Sequence, residues 1–344
     1  MNSMRSINVT VLIVSYRSAP LTIENLRSVQ AEVQRSAPDI DIRAIVVDNA
    51  SGDYPILQHT IEENGWGSWV TLILAPRNGG FAYGNNLALG KALEQRPPDY
   101  LHLLNPDAQV KPGAITALVG FLESHGEVGI AGSSFENADG SDWPIAFRFP
   151  SLISEFCAAL HVGLVSRLFR RWQVPQTMSR TAQPVDWISG ASMLIRPRVF
   201  ETIGGLDENY FLYFEETDFC RRARAAGFPT WYVPESRVMH VAGHSTKTME
   251  RDSGPKRLPA YWFESRRRYF VLAFGKPHAM LIDLIVALVY PVGLLKRFAL
   301  GRGSTAIPHY WRDFLSHSVL RSRNRTVPAY RGLTGRTSRP SLPA

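Results

Sequence analysis

Cysteine is scarce in this sequence: only Cys157 and Cys220 occur among 344 residues. Two cysteines cannot form a disulfide framework, and they cannot supply a structural zinc site by themselves. Free thiols suit the reducing environment of the cytoplasm. Residues 1–8 are too short and too polar for a signal peptide, so we expect a cytoplasmic protein.

Two common phosphate-binding signatures are also missing. No Gly-x-Gly-x-x-Gly follows the first predicted strand, and Gly90-Lys91 is followed by Ala92 where a P-loop needs Ser or Thr. These absences argue against a dinucleotide-dependent dehydrogenase and against a P-loop NTPase.

An acidic excess is absent overall, and the net charge is +8. From Arg251 onward the chain holds seventeen Lys and Arg against four Asp and Glu, a net of +13, so the first 250 residues carry −5. The 45% hydrophobic content with 20% charged residues is typical of a globular protein. A basic C-terminal region attracts anionic partners such as lipid head groups, nucleic acid or polyphosphate.

Apolar runs of strand length alternate with helical patterns over the first 130 residues. The predicted strands are residues 9–14, 42–48, 70–74 and 100–105, and the predicted helices are residues 21–34, 85–93 and 112–124. Continuous apolar runs are typical of parallel strands that are buried on both faces. We therefore predict an α/β protein with a mostly parallel central sheet flanked by helices, which binds its ligand at the carboxyl ends of the strands.

The second half is less regular. Residues 136–184 are interpreted as loops with a helix, and residues 185–195 and 228–233 as strands. Residues 212–226 predict a helix, with Gly227 as its stop signal.

Polar residues follow four predicted strands in succession, which places them along one edge of a parallel sheet. They are Ser15 and Tyr16; Asp48 and Asn49; Arg77, Asn78, Gly79, Gly80 and Asn85; and Asn105 with Asp107. An Asp such as Asp48 can accept hydrogen bonds from a base or ribose, and Arg77 supplies positive charge near a phosphate. Glycines such as Gly80 let the backbone approach a ligand closely. The structural alternative for Asn49 and Ser51 is a local Asx-turn.

Asp107 is a candidate metal ligand. A nucleoside diphosphate bound at this edge carries dense negative charge, which a hard divalent cation neutralises, and such cations prefer carboxylate oxygens. The structural alternative is a turn or helix cap before Pro112. His240 and His244 follow a predicted strand, and either a metal or diphosphate contact or a structural role fits them.

Three carboxylates, Glu215, Glu216 and Asp218, lie at the start of the predicted helix. The helix dipole alone favours acidic residues there. Large apolar and aromatic residues precede them, however, and these would partly bury the carboxylates, which is how a general base acquires a useful pKa.

Taken in order, these segments resemble family 2 glycosyltransferases, which have the GT-A fold, and among them bacterial rhamnosyltransferase-like members that build cell-envelope polysaccharides. The similarity covers about residues 8–270. Its strings are Val-Ser-Tyr at 14–16, Val-Asp-Asn-Ala-Ser at 47–51, Asn-Gly-Gly-Phe-Ala at 78–82, Leu-Asn-Pro-Asp at 104–107, Trp-Ile-Ser-Gly-Ala at 187–191, Gly-Gly-Leu-Asp-Glu at 204–208, Glu-Glu-Thr-Asp at 215–218 and Val-Met-His at 238–240.

The resemblance implies roles for the matching residues. Asp48 would contact the nucleoside, and Trp187, Ser189 and Gly190 would line the donor-sugar and acceptor region. Asp107 stands in Asn-Pro-Asp where many members have Asp-x-Asp, so it would lie next to Mg²⁺ or Mn²⁺ although the first Asp is missing. His240 would approach the metal or the diphosphate.

The implied chemistry is an inverting transfer in a single displacement. Glu216 stands where the family commonly has the Asp that acts as general base, and Asp218 is the close alternative. The donor would be a nucleoside-diphosphate sugar, with dTDP-rhamnose as the first candidate, and the acceptor a saccharide or a polyprenyl-linked sugar. We expect no nucleic-acid partner.

The resemblance and the charge distribution together divide the chain. We predict a catalytic domain over residues 1–250, with a nucleotide-binding half (1–130) and a second half (131–250), a helical region over 251–315, and a basic flexible tail over 316–344. The apolar residues 279–295 either attach the enzyme to the inner face of the plasma membrane or form a helix that packs on the catalytic domain.

Two other function classes share some of these sequence features. A nucleotidyltransferase shares strand-end carboxylates but releases pyrophosphate. A non-catalytic lipid- or nucleic-acid-binding protein would depend on the basic tail, and Glu216→Gln would then leave its function intact.

Overall fold

The structure is a computed structural model. It describes residues 6–95, 97–137, 141–143, 145–160, 162–240, 255–299, 307–321, 323 and 327–330. The strands are β1 (Ile7–Ser15), β2 (Ile40–Asp48), β3 (Val70–Leu74), β4 (Tyr100–Leu104), β5 (Ala108–Val110), β6 (Ile130–Glu136), β7 (Asp142–Trp143), β8 (Ala146–Phe147), β9 (Gln183–Val185), β10 (Trp187–Ile188), β11 (Ser192–Ile195) and β12 (Thr230–His240).

Helices cover both faces of the sheet and form the C-terminal region. They are α1 (Ala19–Ser36), α2 (Tyr54–Glu63), α3 (Gly80–Gln95), α4 (Ala114–Ser124), α5 (Leu152–Leu160), α6 (Gly163–Leu168), α7 (Pro197–Ile203), α8 (Glu215–Ala225), α9 (Ala260–Phe274), α10 (Lys276–Ala299) and α11 (Tyr310–His317).

The main sheet has the strand order β3-β2-β1-β4-β11-β6-β12-β5. Strands β3, β2, β1 and β4 are parallel, as predicted from the alternation of apolar runs and helices. β11 is antiparallel to both β4 and β6, whereas β12 runs parallel to β6. The carboxyl ends of β1, β2, β4 and β12 therefore lie at one edge of the sheet.

Burial explains the strand sequences of the first half. β1 and β2 pair over their full length, from Ile7 opposite Ile40 to Ser15 opposite Asp48. Their apolar residues, such as Val11, Ile13 and Val46, are fully buried because helices cover both faces of the sheet.

The second half corrects several predicted bounds. Residues 185–195 form three short strands instead of one, because a turn at Ser189–Ala191 interrupts them, with the Ser189 hydroxyl accepting a hydrogen bond from the Ala191 N–H at 3.3 Å. β12 continues seven residues beyond the predicted end at Val233. Its register shifts between Val233 and Arg237, and this irregularity accommodates Pro234, which has no N–H for the ladder.

The C-terminal region is helical, as predicted. Arg266 of α9 joins it to the rest of the chain through an ion pair at 2.6 Å with the half-buried Glu155 of α5. Within the region, Arg266 also forms a buried ion pair with Asp283 of α10 at 2.7 Å. Ser318 and Val319 also donate hydrogen bonds to Asp283 at 2.7 and 2.9 Å. Part of the predicted flexible tail, residues 318–319, thus packs on α10.

One helix is long and apolar enough to cross a membrane. Residues Lys276–Lys296 have a mean hydropathy of 2.0, and 33% of this segment is buried inside the protein. Length and composition alone do not distinguish a membrane-spanning helix from a packed one. The choice between membrane attachment and packing on the catalytic domain for residues 279–295 therefore depends on which faces of the helix are buried and which are exposed.

Candidate active site

The carboxyl ends of β1 and β2 meet side by side at the predicted edge. The Asn49 N–H donates to the Ser15 carbonyl oxygen at 2.8 Å, which joins the two strand ends. The Ser15 hydroxyl is buried and accepts a hydrogen bond from Thr22 of α1 at 2.9 Å. Tyr16 is half-buried beside it. Ser15 therefore fixes the start of α1, and Tyr16 is the more accessible of the two predicted binding residues.

The Asp48 carboxylate holds the loop after β2. It accepts hydrogen bonds from the backbone N–H of Ser51 at 3.1 Å and of Tyr54 at 3.2 Å, and from the Ser51 hydroxyl. These contacts form a local turn through Asp48 and Ser51, whereas the side chain of Asn49, for which an Asx-turn was the alternative, bonds to Asn78 and Gly80 instead. The predicted contact between Asp48 and a nucleoside stays a prediction.

Asn49 connects β2 to the loop that precedes α3. Its side-chain amide donates to the Asn78 side chain at 3.0 Å and to the Gly80 carbonyl oxygen at 3.1 Å. Gly80 has φ +84°, and a Cβ atom there would lie 1.9 Å from the carbonyl oxygen of Phe211. Only glycine permits this approach, which brings the loop before α3 against the segment that leads into α8.

Arg77 is exposed on the same loop. Its guanidinium lies 4.4 Å from the centre of the Tyr83 ring, a cation–π contact that orients it near the loop surface. Asn85 is buried in α3 and donates to the Phe81 carbonyl oxygen at 3.0 Å, while its Oδ1 atom is buried without a partner among the described residues. The positions of Arg77 and Asn85 are compatible with a ligand at the strand ends, and their binding roles stay predictions.

Gly190 brings the second half of the chain to this edge. A Cβ atom at Gly190 would lie 3.1 Å from the Phe81 ring and 3.9 Å from Cβ of Glu216. The Gly190 backbone also hydrogen-bonds to the Glu216 carboxylate. Next to it, the Ala191 carbonyl oxygen accepts a hydrogen bond from the Asn105 N–H at 3.1 Å. Glu216 and the Asn105–Asp107 turn therefore lie on the same side of the molecule, joined through Gly190 and Ala191.

Glu215, which is buried, and Glu216, which is half-buried, form an interacting pair. Burial raises the pKa of Glu215 well above its usual value, and the negative charge of Glu216 raises it further. Burial also raises the pKa of Glu216, but hydrogen bonds from its own backbone N–H, from Gly190 and from Glu215 oppose that rise. The pair therefore holds a proton more readily than two separate carboxyl groups would, and the pKa of Glu215 is raised by the larger set of causes.

Backbone conformation directs this pair into the site. Tyr213 and Phe214, immediately before α8, have φ values of 70° and 66°. A left-handed conformation costs of order 1–3 kcal/mol for each non-glycine residue, so the surrounding packing must hold it. That packing includes Tyr261 beside Tyr213 and Trp262 beside Phe214, both from α9. Glu215 and Asp218 are buried and Glu216 is half-buried, while the predicted role of the preceding aromatic residues in that burial stays a prediction.

Asp218 is used differently. Its buried carboxylate accepts hydrogen bonds from Arg221 at 2.9 Å and from Arg222 at 2.8 Å. Although burial raises the pKa of Asp218, these two guanidinium groups outweigh it, and its pKa is lowered. A carboxylate held by two arginines is a poor proton acceptor, which favours Glu216 over the alternative base Asp218.

The Asn105–Ala108 turn carries the predicted metal ligand. Asp107 is almost fully buried there, and Asn105 Oδ1 is buried without a hydrogen-bond partner among the described residues. β5 begins at Ala108, which pairs with His240 at the end of β12, so the backbone register places His240 next to this turn. His244 lies outside the described residues.

Trp187 has a structural partner on each side. Its ring stacks on Phe147 with the centres 4.3 Å apart, and its indole N–H donates to the Arg148 carbonyl oxygen at 3.0 Å. Trp187 is half-buried, and its predicted contribution to the donor-sugar region stays a prediction.

Sequence reasoning missed one positioning residue, Asn25 of α1. Its side-chain amide donates to the carbonyl oxygens of Asn105 at 2.9 Å and Ala108 at 2.5 Å, on either side of Asp107. Further along α1, Glu32 accepts the N–H groups of Gly113 at 2.7 Å and Ile115 at 3.1 Å. A buried Asn and Glu seven residues apart on one helical face are a weak sequence signal, because both also occur on solvated faces.

Three features lie at one edge of the mostly parallel sheet: the strand ends, a glycine loop and the glutamate pair. Together they define a nucleotide-binding α/β domain of the transferase type. Residues 5–254 match the model of the family described as "Glycosyltransferase like family 2". The chain belongs to this family, and its fold is GT-A.

Two curated relatives are rhamnosyltransferases. N-acetylglucosaminyl-diphospho-decaprenol L-rhamnosyltransferase of Mycobacterium tuberculosis is 35% identical over 161 residues, which are 46% of this chain and 52% of the relative. Rhamnosyltransferase WbbL of Escherichia coli is 28% identical over 172 residues, 49% of this chain and 63% of the relative. The chain thus spans about half to two thirds of the length of these relatives.

Solved structures support the fold. The mannosyltransferase PcManGT from Pyrobaculum calidifontis, solved with GDP-Man and Mn²⁺, superposes with a TM-score of 0.52 at 15% identity and covers 94% of this chain and 83% of that chain. At this identity the similarity establishes the GT-A fold alone.

Proposed function

We propose that this protein is an inverting glycosyltransferase that transfers a sugar from a nucleoside-diphosphate donor to an acceptor hydroxyl in cell-envelope polysaccharide synthesis. The observation that carries the proposal is the contact between Gly190 and Glu216. This contact supports the proposal because it joins the Glu216 side chain to the segment that hydrogen-bonds to Asn105, at the edge where β4 ends and where a GT-A domain binds its nucleotide.

Glu216 is the proposed general base. One of its oxygens, Oε2, accepts no hydrogen bond from the described residues, so it has a lone pair for the proton of an acceptor hydroxyl. Glu216 removes the proton of this hydroxyl while the oxygen attacks the anomeric carbon and the bond to the diphosphate breaks, which inverts that carbon. Such base catalysis contributes about 10²–10⁴-fold.

Glu215 sets the state of the base. We propose that Glu215, whose pKa is raised by burial and by the charge of Glu216, keeps the proton of the pair, so that Glu216 stays a carboxylate. The Gly190 backbone contact holds the same carboxylate in place. We assign Glu215 a positioning role and Glu216 the proton transfer.

Mg²⁺ or Mn²⁺ is the proposed cofactor. Among the described residues no cluster of three or more His, Cys, Asp or Glu side chains holds a cation alone. The turn instead offers the Asp107 carboxylate and the Asn105 amide oxygen, which are hard oxygen donors, with His240 next to them in the sheet. This small ligand set fits a cation that takes its other ligands from substrate phosphates and stabilises the departing diphosphate.

The relatives suggest the substrates. Both are named rhamnosyltransferases, and the name of the mycobacterial enzyme includes a diphospho-decaprenol acceptor. We propose dTDP-rhamnose as the donor and a polyprenyl-linked sugar as the acceptor. A cytoplasmic enzyme on the inner face of the plasma membrane would meet both, because the donor is soluble and the acceptor is held in the bilayer.

A donor panel tests the reaction class. The protein is incubated with dTDP-, UDP- and GDP-sugars, with Mg²⁺, Mn²⁺ or EDTA, and the released nucleotide is identified. Release of a nucleoside diphosphate that depends on acceptor and on cation is expected. Release of pyrophosphate would instead identify a nucleotidyltransferase.

A pair of variants tests the base. Glu216→Gln keeps the size of the side chain and is expected to lower kcat by about 10²–10⁴-fold. Glu201→Gln, an exposed glutamate of α7, is the matched control and is expected to retain wild-type turnover. Full activity in folded Glu216→Gln would refute the assignment.

A further inference from the structure

One side of α10 carries exposed apolar side chains that no described residue covers. They follow one another at intervals of three or four residues, so they form a single stripe along the helix. The stripe consists of Leu281 (47% exposed), Leu284 (45%), Leu288 (64%), Val292 (55%) and Leu295 (69%), and Phe298 (86%) extends it. At 1.5 Å per residue it is about 25 Å long.

The opposite side of α10 is fixed to the protein. Ala279, Ile282, Val286 and Tyr290 are buried on that side. Gly293 lets the backbone of α5 approach so closely that a Cβ atom at Gly293 would lie 2.5 Å from the Ala159 carbonyl oxygen. Asp283 is buried and paired with Arg266. Because leaving this packing would expose the Asp283–Arg266 pair to hydrocarbon, α10 does not suit a membrane-spanning position.

Positive charge flanks the stripe at both ends. Lys276 and Lys296 are exposed at its two ends, and Asp283 is the only acidic residue in the sequence of α10. An apolar stripe with a cationic border is the pattern of helices that lie in the interface of an anionic bilayer.

We propose that this stripe is a membrane-docking surface that inserts in the plane of a bilayer rich in anionic lipid. The occupant is lipid and not a second copy of the chain, because a two-fold dimer through this surface would bring the two cationic borders together. This proposal rests on the proposed function only in taking the acceptor to be embedded in the bilayer. The exposed stripe and its charge do not depend on catalysis.

The docking surface is mechanically connected to the base. α9 packs on α10, and its Ser265 hydroxyl donates to the Leu212 carbonyl oxygen at 3.0 Å, in the segment that leads to Glu216. Arg268 of α9 also holds the buried Asp207 in an ion pair at 2.5 Å. A docked α10 therefore sets the height and orientation of the catalytic segment above the lipid, as an acceptor that is embedded in the bilayer requires.

Vesicle sedimentation tests the surface with the full chain. The probes are vesicles of phosphatidylcholine with and without phosphatidylglycerol, at low and high salt. Wild-type protein is expected to bind the anionic vesicles, and salt is expected to weaken this binding. The double variant Leu284→Asp with Leu288→Asp is expected to bind about tenfold less or weaker still. Ile56→Asp, at an equally exposed position on α2, is the control and is expected to bind like wild type.

Two activity assays separate this proposal from the proposed function. With a short soluble acceptor, the double variant is expected to retain wild-type turnover, whereas with an acceptor embedded in vesicles its rate is expected to fall with its binding. Wild-type binding by the folded double variant would overturn the docking surface. The docking surface would also be overturned if the wild-type protein were a dimer that does not bind vesicles and the double variant were a monomer. An absence of all transferase activity in the wild-type protein would overturn only the proposed glycosyltransferase function.

Discussion

The side-chain amide of Asn25 donates a hydrogen bond of 2.5 Å to the carbonyl oxygen of Ala108, one residue beyond the proposed metal ligand Asp107. The same amide donates to the Asn105 carbonyl oxygen at 2.9 Å. One side chain from α1 therefore holds both ends of the turn between β4 and β5. Because a metal ligand must be placed to within a fraction of an ångström, the turn depends on a residue that touches no substrate.

Asn25→Ala is expected to weaken the response to the cation. Both carbonyl oxygens lose the Asn25 amide, although the Asn105 oxygen keeps the Ala108 N–H at 3.1 Å, and an unsatisfied buried polar group costs about 1–3 kcal/mol in the free energy of unfolding. In a metal titration, the Mg²⁺ or Mn²⁺ concentration for half-maximal activity is expected to rise more than kcat falls at saturating metal. Asn64→Ala is the matched control, since that amide donates to the Thr60 carbonyl oxygen at 2.8 Å on the exposed surface. An unchanged metal titration in folded Asn25→Ala would contradict this role.

Gly80→Ala is expected to damage the junction between the two halves of the site. The new Cβ atom would meet the Phe211 carbonyl oxygen at 1.9 Å, and that oxygen also accepts the Phe81 N–H at 3.1 Å. Gly52→Ala separates this clash from backbone strain, because Gly52 has φ +90° but no described atom within 4 Å of its Cβ position. Thermal unfolding is expected to show a loss of about 1 kcal/mol for Gly52→Ala and a clearly larger loss for Gly80→Ala. Equal losses would mean that the close approach to Phe211 is unimportant.

Although α2 and β5 were not predicted, the parallel strands of the first half follow from sequence alone, because each is a continuous apolar run whose polar end is visible in the chain. The second half does not. β11 inserts between β4 and β6 in the antiparallel sense, and a four-residue strand carries no signal of its direction. The contacts of Gly190 with Phe81 and Glu216 join segments more than 100 and about 25 residues apart, which no local pattern encodes.

Composition also left the roles of the three acidic residues in α8 undecided. Glu216 and Asp218 differ because of what surrounds them: a backbone contact from Gly190 in one case and two arginines in the other. The apolar segment 279–295 likewise read as either a packed helix or a membrane contact. In the structure one face of α10 is packed, and the exposure of the other face appears only when the neighbours α5, α9 and α11 are in place.

Glu215→Gln is expected to stabilise the protein near neutral pH. The pKa of Glu215 is raised in the folded state, so between its unfolded and folded pKa values the folded protein binds more protons than the unfolded chain. Stability therefore falls as the pH rises through that window, and the amide removes this loss. Thermal melts from acidic to neutral pH are expected to show Tm declining less for Glu215→Gln than for wild type. Parallel curves would contradict the raised pKa.

Asp218→Asn is expected to lower the free energy of unfolding without directly impairing the proton transfer in folded molecules. Arg222 would keep hydrogen bonds to the carbonyl oxygens of Ile203 at 2.8 Å and Gly205 at 2.9 Å, but its buried charge would lose its carboxylate partner. Removing one member of a buried ion pair costs about 3–5 kcal/mol. Denaturant unfolding is expected to show that loss, while the molecules that remain folded keep turnover far above that of Glu216→Gln. If Asp218→Asn instead kept its stability and lost turnover as completely as Glu216→Gln, Asp218 would be the base.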